Sequence, residues 1–172
     1  DTGKICFGGD RIGVFYLEKG AAQRPSRIVY DRKYTSVAES IPEHYDWKTI
    51  FSGSSWFHIT GITPALSPTM PSVCLDACRT AHEMGLTVSC DLNYRKNLWT
   101  SQQAGAVLRE MMPYVDVLIA NEEDAEKVFG IKASDSDVMG GVLSDSGYAE
   151  VARQIEAQYG IHTVAISMRR NL

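Results

Sequence analysis

The sequence predicts an α/β fold with a parallel central sheet, and three observations lead there. Short apolar runs with strand character recur from Trp56 onward. Helical patterns with their own caps and stops separate them. Polar side chains gather where each of those strands ends. Short strands alternating with helices are the signature of βαβ units. Right-handed crossovers then bring the strand carboxyl ends to one edge, and open α/β sheets bind ligands in the crevice there.

The first 36 residues precede this alternation. "RIGVFYLE" (11–18) and "RIVYDRKY" (27–34) read as strands, and "KGAAQRPS" between them carries the Gly and Pro of a loop. A two-stranded flap over residues 1–36 is expected, with the α/β unit occupying 37–172. A lone hairpin is marginal in water, so the flap should project as a lid or pair with another subunit. Tyr30 and Arg32 fall on one of its faces at period two.

The elements of the α/β unit follow in order. "WFHIT" (56–60) is its first strand, and a helix near 71–84 ends at Gly85. Cys74, Cys78 and His82 lie at i, i+4 and i+8 of that helix and resemble a row of ligands. They run beside Val73, Ala77 and Ala81, however, and would spread over ~12 Å of axis. The reading is therefore an apolar helix face packed in the core. "LTVSCDL" (86–92) is the second strand, and Ser101 is expected to cap a helix running to about Met112. "VDVLIA" (115–120) is the third, with Asn121 as N-cap for "EEDAEKVF" and Gly130 as its stop. A linker containing Gly140 and Gly141, a helix near 148–159 and the strand "TVAIS" (163–167) complete the pattern.

Totals narrow the function classes. The 172 residues suit one domain. A formal net charge of −4 offers no basic footprint for nucleic acid. No apolar run approaches the roughly 20 residues that span a bilayer. The opening "DTGKICFGGD" has no apolar leader segment, and the four cysteines suggest no disulfide framework. A reduced, cytoplasmic protein is expected, with no membrane or nucleic-acid partner. No G-x-x-x-x-G-K-[ST], helix-opening G-x-G-x-x-G, H-E-x-x-H or G-x-S-x-G occurs, which removes several enzyme classes.

The carboxyl edge carries the chemistry. The first strand delivers "GITPALSP", a loop whose backbone amides can approach a ligand. The second delivers Asp91, Asn93 and Arg95 at every second position. The third delivers Asn121, Glu122, Glu123 and Asp124, and the fourth Arg169, Arg170 and Asn171. Arginines beside carboxamides suit a carboxylate or phosphate. Acids at a helix N-terminus suit Mg²⁺, directly or through water, and equally serve as caps that meet the helix dipole. Arg169 and Arg170 also read as solvated surface residues. A site of both characters fits metal-assisted phosphoryl transfer.

The segments "GDRIGVFYLEKGAAQRPSRIVYDR", "FHITGITPALS", "SCDLNYRKNLW" and "IANEEDAEKVFGI" are together specific. In them the chain resembles the PfkB-type, ribokinase-like carbohydrate kinases, in particular those acting on 2-keto-3-deoxygluconate. The resemblance implies a three-layer sandwich with a parallel central sheet and a β-flap, and a kinase that uses ATP and Mg²⁺ on a sugar acid. Tyr30 and Arg32 match lid positions that contact the substrate, and Ile62 matches a residue of its pocket. Within D-x-N-x-R, Arg95 is expected to reach the sugar acid or the transferring phosphate, and Asn93 to lie toward the nucleotide phosphates. Asn121 and Arg169 are assigned to the nucleotide or phosphate, and Asp124 to the metal. Asp124 stands where the family carries Glu, which favours a water-mediated contact. Phe15 stands where a lid tyrosine is common.

The resemblance also implies a homodimer or higher oligomer formed through the flap. The family's Gly-Gly-Asn and G-A-G-D segments are not among these residues. The expectation is thus a middle section, incomplete at both ends, with the catalytic aspartate beyond Leu172 and the isolated chain inactive. A non-catalytic sugar-binding remnant and a PfkB-type kinase for another sugar such as fructose are the alternatives. Arg32 and Arg95 favour an acid over a neutral sugar.

Overall fold

The computed structural model describes residues 2–134 and 145–168. Strands β1 (Val14–Glu18) and β2 (Arg27–Asp31) pair antiparallel as a separate two-stranded sheet. Their register sets Phe15 opposite Tyr30 and Leu17 opposite Ile28 on one face, and Tyr16 opposite Val29 on the other. Both faces are solvent-exposed. The flap is tied down at its base. Ser36 donates its backbone N–H and its hydroxyl to the Arg11 carbonyl, each at 2.8 Å, and Arg11 pairs with Asp31 at 2.5 Å. The buried Thr35 hydroxyl donates to the Arg32 carbonyl at 3.0 Å, which anchors the residue leaving β2.

A short helix α1 (Trp47–Phe51) lies in a stretch for which the sequence pattern predicted no element. Asp46 caps it, accepting from the Thr49 N–H at 3.2 Å. It survives at five residues because its aromatic side chains pack. Trp47 stacks between Tyr45 and Phe51, and Phe51 meets Phe57 with ring centroids 4.9 Å apart.

The main sheet is four-stranded, with β3 (Trp56–Thr60), β4 (Thr87–Asp91), β5 (Val117–Asn121) and β6 (Thr163–Ser167) adjacent in chain order and all parallel. The connecting helices are α2 (Met70–Glu83), α3 (Ser101–Met111), α4 (Glu122–Phe129) and α5 (Asp145–Tyr159). The predicted α/β class holds. Gly130, in the left-handed region at φ 74°, ends α4 where expected.

One cap and one helix limit differ from expectation. Thr100, not Ser101, caps α3: its extended backbone leaves the hydroxyl to accept from the Gln103 N–H, while Gln103 Oε1 accepts from the Thr100 N–H. The fifth helix begins at Asp145, three residues before the predicted start near 148. Cys74 and Cys78 are buried in the core as read, but His82 is exposed, with its ring edge against Tyr114 at 5.9 Å. The row leaves the core because successive i+4 steps drift around the helix.

Side chains on one face of the sheet, among them Ile59, Val88, Cys90, Leu118 and Ala120, are buried under the helices. On the opposite face Trp56, His58, Thr163, Ala165 and Ser167 are exposed. The described residues thus supply the sheet and one helical layer of the expected three-layer sandwich. Ser89 is the buried exception on the open face, because its hydroxyl meets Trp56 Nε1–H and His58 Nδ1, each at 2.8 Å.

Candidate active site

Four strand ends meet at one rim, and the β-ladder explains why. Thr60 is in register with Asp91, and Asp91 with Ile119, so the exits of β3, β4 and β5 stand side by side. The next residues are pulled tight. Gly61 N–H donates to the Asp91 carbonyl at 2.7 Å, and Leu92 N–H to the Ile119 carbonyl at 2.9 Å. A Cβ on Gly61 would stand 2.1 Å from the Leu92 carbonyl oxygen, so only glycine admits this approach.

Beyond β4 the chain turns sharply. Asn93 adopts φ 36°, a left-handed conformation that asparagine tolerates better than most residues. Its backbone N–H donates to Asp91 Oδ1 at 3.2 Å, and its Nδ2 to Thr60 Oγ1 at 3.0 Å. The Tyr94 N–H donates to Asp124 Oδ2 at 3.3 Å. Asp124 sits at the start of α4, where its N–H donates to the capping Asn121 Oδ1 at 2.7 Å and its Oδ2 accepts from Asn121 Nδ2 at 3.1 Å. Burial pushes the Asp124 carboxyl above its ordinary value. The Tyr94 N–H opposes this, Asp91 and Glu123 reinforce it, and Arg95 opposes it.

The flap overhangs this rim and closes a cleft of about 1010 Å³, the upper end of the size range of small-molecule sites. Tyr30, Arg32, Ile62, Asn93, Arg95, Asn121 and Asp124 all line it. Every site residue expected from the sequence and lying within the described residues is therefore in one place. Arg169 lies outside the described residues.

The cleft also contains residues the sequence reading missed. Arg27, Lys33, Lys96 and Lys127 line it, and so does Tyr94. Lys33 and Lys96 each directly follow a predicted arginine, a doubling that period-two reasoning discounts because it assigns neighbours to opposite faces. Cations from flap and core outnumber the acids Asp91, Glu123 and Asp124 in a chain whose total is −4. Lys127 is paired with Glu123 along α4. Such a cleft selects anions.

The donor set can be tested against Mg²⁺. Asp124 Oδ2 already accepts two N–H groups, and among the described residues no group of three or more His, Cys, Asp and Glu side chains is placed to hold an ion. These residues fit an ion held mostly by water and phosphate oxygens, which is common for Mg²⁺.

Residues 8–168 match the pfkB family carbohydrate kinase description. The chain belongs to the PfkB family of carbohydrate kinases. A 2-dehydro-3-deoxygalactonokinase of Haloferax volcanii is 38% identical over 118 residues, covering 69% of this chain and 37% of that protein. The solved 2-dehydro-3-deoxygluconokinase of Thermotoga maritima superposes with a TM-score of 0.85 at 47% identity, covering 95% of this chain and 48% of that one. A PfkB family carbohydrate kinase from Listeria grayi gives 0.79 at 28%, covering 96% and 48%. This PfkB chain thus spans about half the length of its solved relatives. The kinase resemblance and the ribokinase-like architecture read from the sequence are both borne out.

Proposed function

We propose that the protein transfers the γ-phosphoryl group of ATP to a hydroxyl of a keto-deoxy sugar acid, such as 2-dehydro-3-deoxygluconate. The observation that carries this reading is the convergence of Arg32 from the flap and Arg95 from the core on one cleft. Two guanidinium groups on opposite walls suit a substrate with one permanent carboxylate and one phosphate arriving during the reaction. A neutral sugar needs neither.

In this reading Tyr30 and Arg32 close over the sugar acid as the lid of residues 1–36, upon the base formed by 37–172. Ile62 supplies an apolar wall. Arg95 orients the carboxylate or neutralises the transferring phosphoryl group, where charge stabilisation supplies most of the rate. Asn93 keeps one amide N–H on Thr60 and directs the remainder toward phosphate oxygens. Asn121 holds Asp124, and Asp124 orients water around Mg²⁺. The ion, when bound, shields the phosphate charges. Asp91 and Asp124 hold N–H groups of the turn, and neither is the base for the acceptor hydroxyl. Strand β1 of the flap, none of whose residues lines the cleft, pairs with a second copy through Tyr16. A Tyr16→Glu variant should then sediment as a smaller species than the wild type.

The test is an ADP-release assay on the full protein with ATP and Mg²⁺, offering 2-dehydro-3-deoxygluconate, 2-dehydro-3-deoxygalactonate and fructose. Either sugar acid should exceed fructose in kcat/KM by about 100-fold or more, the scale of a charged partner met rather than missed. A preference for fructose would end the sugar-acid reading.

A further inference from the structure

We propose that Thr60 is a positioning residue for Arg95, acting through the side-chain amide of Asn93. The inference rests on the reading of the cleft as a sugar-acid kinase site, and adds to it a residue outside the substrate-contacting set.

Arg95 stands at the end of a turn that the backbone alone would not hold. Asn93 is one of three non-glycine residues with positive φ among the described residues, a conformation disfavoured for most side chains. Three bonds fix it, and they come from three different strand exits. Asp91 Oδ1 accepts the Asn93 N–H at 3.2 Å, Thr60 Oγ1 accepts Asn93 Nδ2–H at 3.0 Å, and Asp124 Oδ2 accepts the Tyr94 N–H at 3.3 Å. The Asp91 bond is made within the turn. The Asp124 bond comes from the β5 side. Thr60 is therefore the tie from the β3 side, and it reaches Asn93 from a residue in ladder register with Asp91.

Two further bonds within the segment, Leu98 N–H to the Arg95 carbonyl at 2.9 Å and the Tyr94 hydroxyl to the Trp99 carbonyl at 3.3 Å, travel with the turn and do not place it on the sheet. The consequence is geometric. Without the Thr60 oxygen, Asn93 is free to leave the left-handed region, and the peptide plane leading to Tyr94 and Arg95 rotates with it. A guanidinium that must meet an anion in a bidentate pose is sensitive to such a shift. Thr60 lies on the cleft-ward end of β3 and is half-buried, with its neighbour Gly61 locked against the Leu92 carbonyl. Its hydroxyl is consequently held as firmly as the strand itself.

The experiment compares Thr60→Val, which keeps shape and removes the acceptor, with Thr60→Ser, which keeps the acceptor. Each is made in the full protein, alone and with Arg95→Ala. Thr60→Val should lower kcat/KM for the sugar acid by about tenfold or more. Thr60→Ser should stay within about threefold. In the Arg95→Ala background Thr60→Val should cost at most about threefold, the share of the displaced Asn93 amide, because the arginine it positions is gone. An additive loss there, or a Thr60→Val enzyme equal to wild type, overturns the proposal. If the wild type phosphorylates no sugar acid, the kinase reading fails, and hydrogen exchange over residues 92–95 still decides the positioning role. Faster exchange in Thr60→Val than in Thr60→Ser supports it, and equal exchange removes it.

Discussion

Arg32 lies across the face of the Tyr30 ring, its guanidinium carbon 4.0 Å from the ring centroid. The ring is half-exposed at the flap edge, where a cation over it gains about 0.5–1 kcal/mol. That is enough to hold the cation above the cleft before substrate arrives. Arg32→Ala should raise KM for the sugar acid about tenfold while leaving KM for ATP nearly unchanged, since lid residues act on capture. Tyr30→Phe should retain the ring contact, and Tyr30→Leu should show part of the Arg32 loss. Equal rises in both KM values would assign the flap a structural role.

Arg95 should matter to chemistry rather than capture. Arg95→Ala is expected to lower kcat/KM by the equivalent of about 2–4 kcal/mol, the scale for losing a charged partner. Arg95→Lys should recover only a fraction, because an ammonium cannot make two parallel bonds. Steady-state kinetics on the three proteins reads this directly. Near-normal activity in the alanine variant would remove Arg95 from the site.

Gly61 should be intolerant of the smallest possible change. A methyl group there would meet the Leu92 carbonyl oxygen at 2.1 Å, against backbone that is itself bonded to Ile119. Gly61→Ala is predicted to cost about 2–3 kcal/mol, at the upper end for overpacking because no flexible side chain can yield. Urea unfolding would register it as a lowered midpoint. An unchanged midpoint would mean that the two strand exits can separate.

Much of this rim was legible beforehand, for identifiable reasons. The strand limits Trp56–Thr60 and Thr163–Ser167 match the pattern because the glycine after Thr60 and the arginine pair that follows Met168 interrupt it. Asn121 was readable as a cap because a single capping residue precedes a run of acids. Thr100 was not, because Ser101 beside it has the same chemistry and only backbone dihedrals separate them. The helix Trp47–Phe51 escaped because aromatic stacking, not periodicity, stabilises it. Likewise Lys33 and Lys96 reach the cleft from loop positions, where alternation no longer assigns sides. The Thr60–Asn93 bond joins residues 33 apart, and no local pattern announces it.

The thiols should separate cleanly by reactivity. Burial pushes Cys74 and Cys78 up to about 12 and also raises Cys90, whereas Cys6 is exposed. Alkylation at pH 8 followed by peptide mapping should label Cys6 and spare the other three until the chain unfolds. Linkage gives a sign as well. Unfolded thiols lose their protons near 9.0 while Cys74 and Cys78 keep theirs to about 12, so stability should fall as pH climbs through that interval. Cys78→Ala should show a shallower alkaline decline than the wild type. An identical slope would place the alkaline sensitivity elsewhere.

The sheet order β3-β4-β5-β6 repeats the order of the chain. Among the described residues no strand waits for a partner made much later than its neighbour, so the ledge that carries Thr60, Asn93, Arg95 and Asp124 can zip up one crossover at a time. Each step still closes a long crossover, since parallel partners such as Thr60 and Asp91 or Val117 and Thr163 stand far apart in sequence, and such pairing is slow. The rim is then finished in the direction of synthesis: Thr60 is in place before Asn93 needs it, and Asp124 arrives last to clasp a turn already bent. Pulsed hydrogen exchange during refolding should find protection at β3 and β4 no later than at β6.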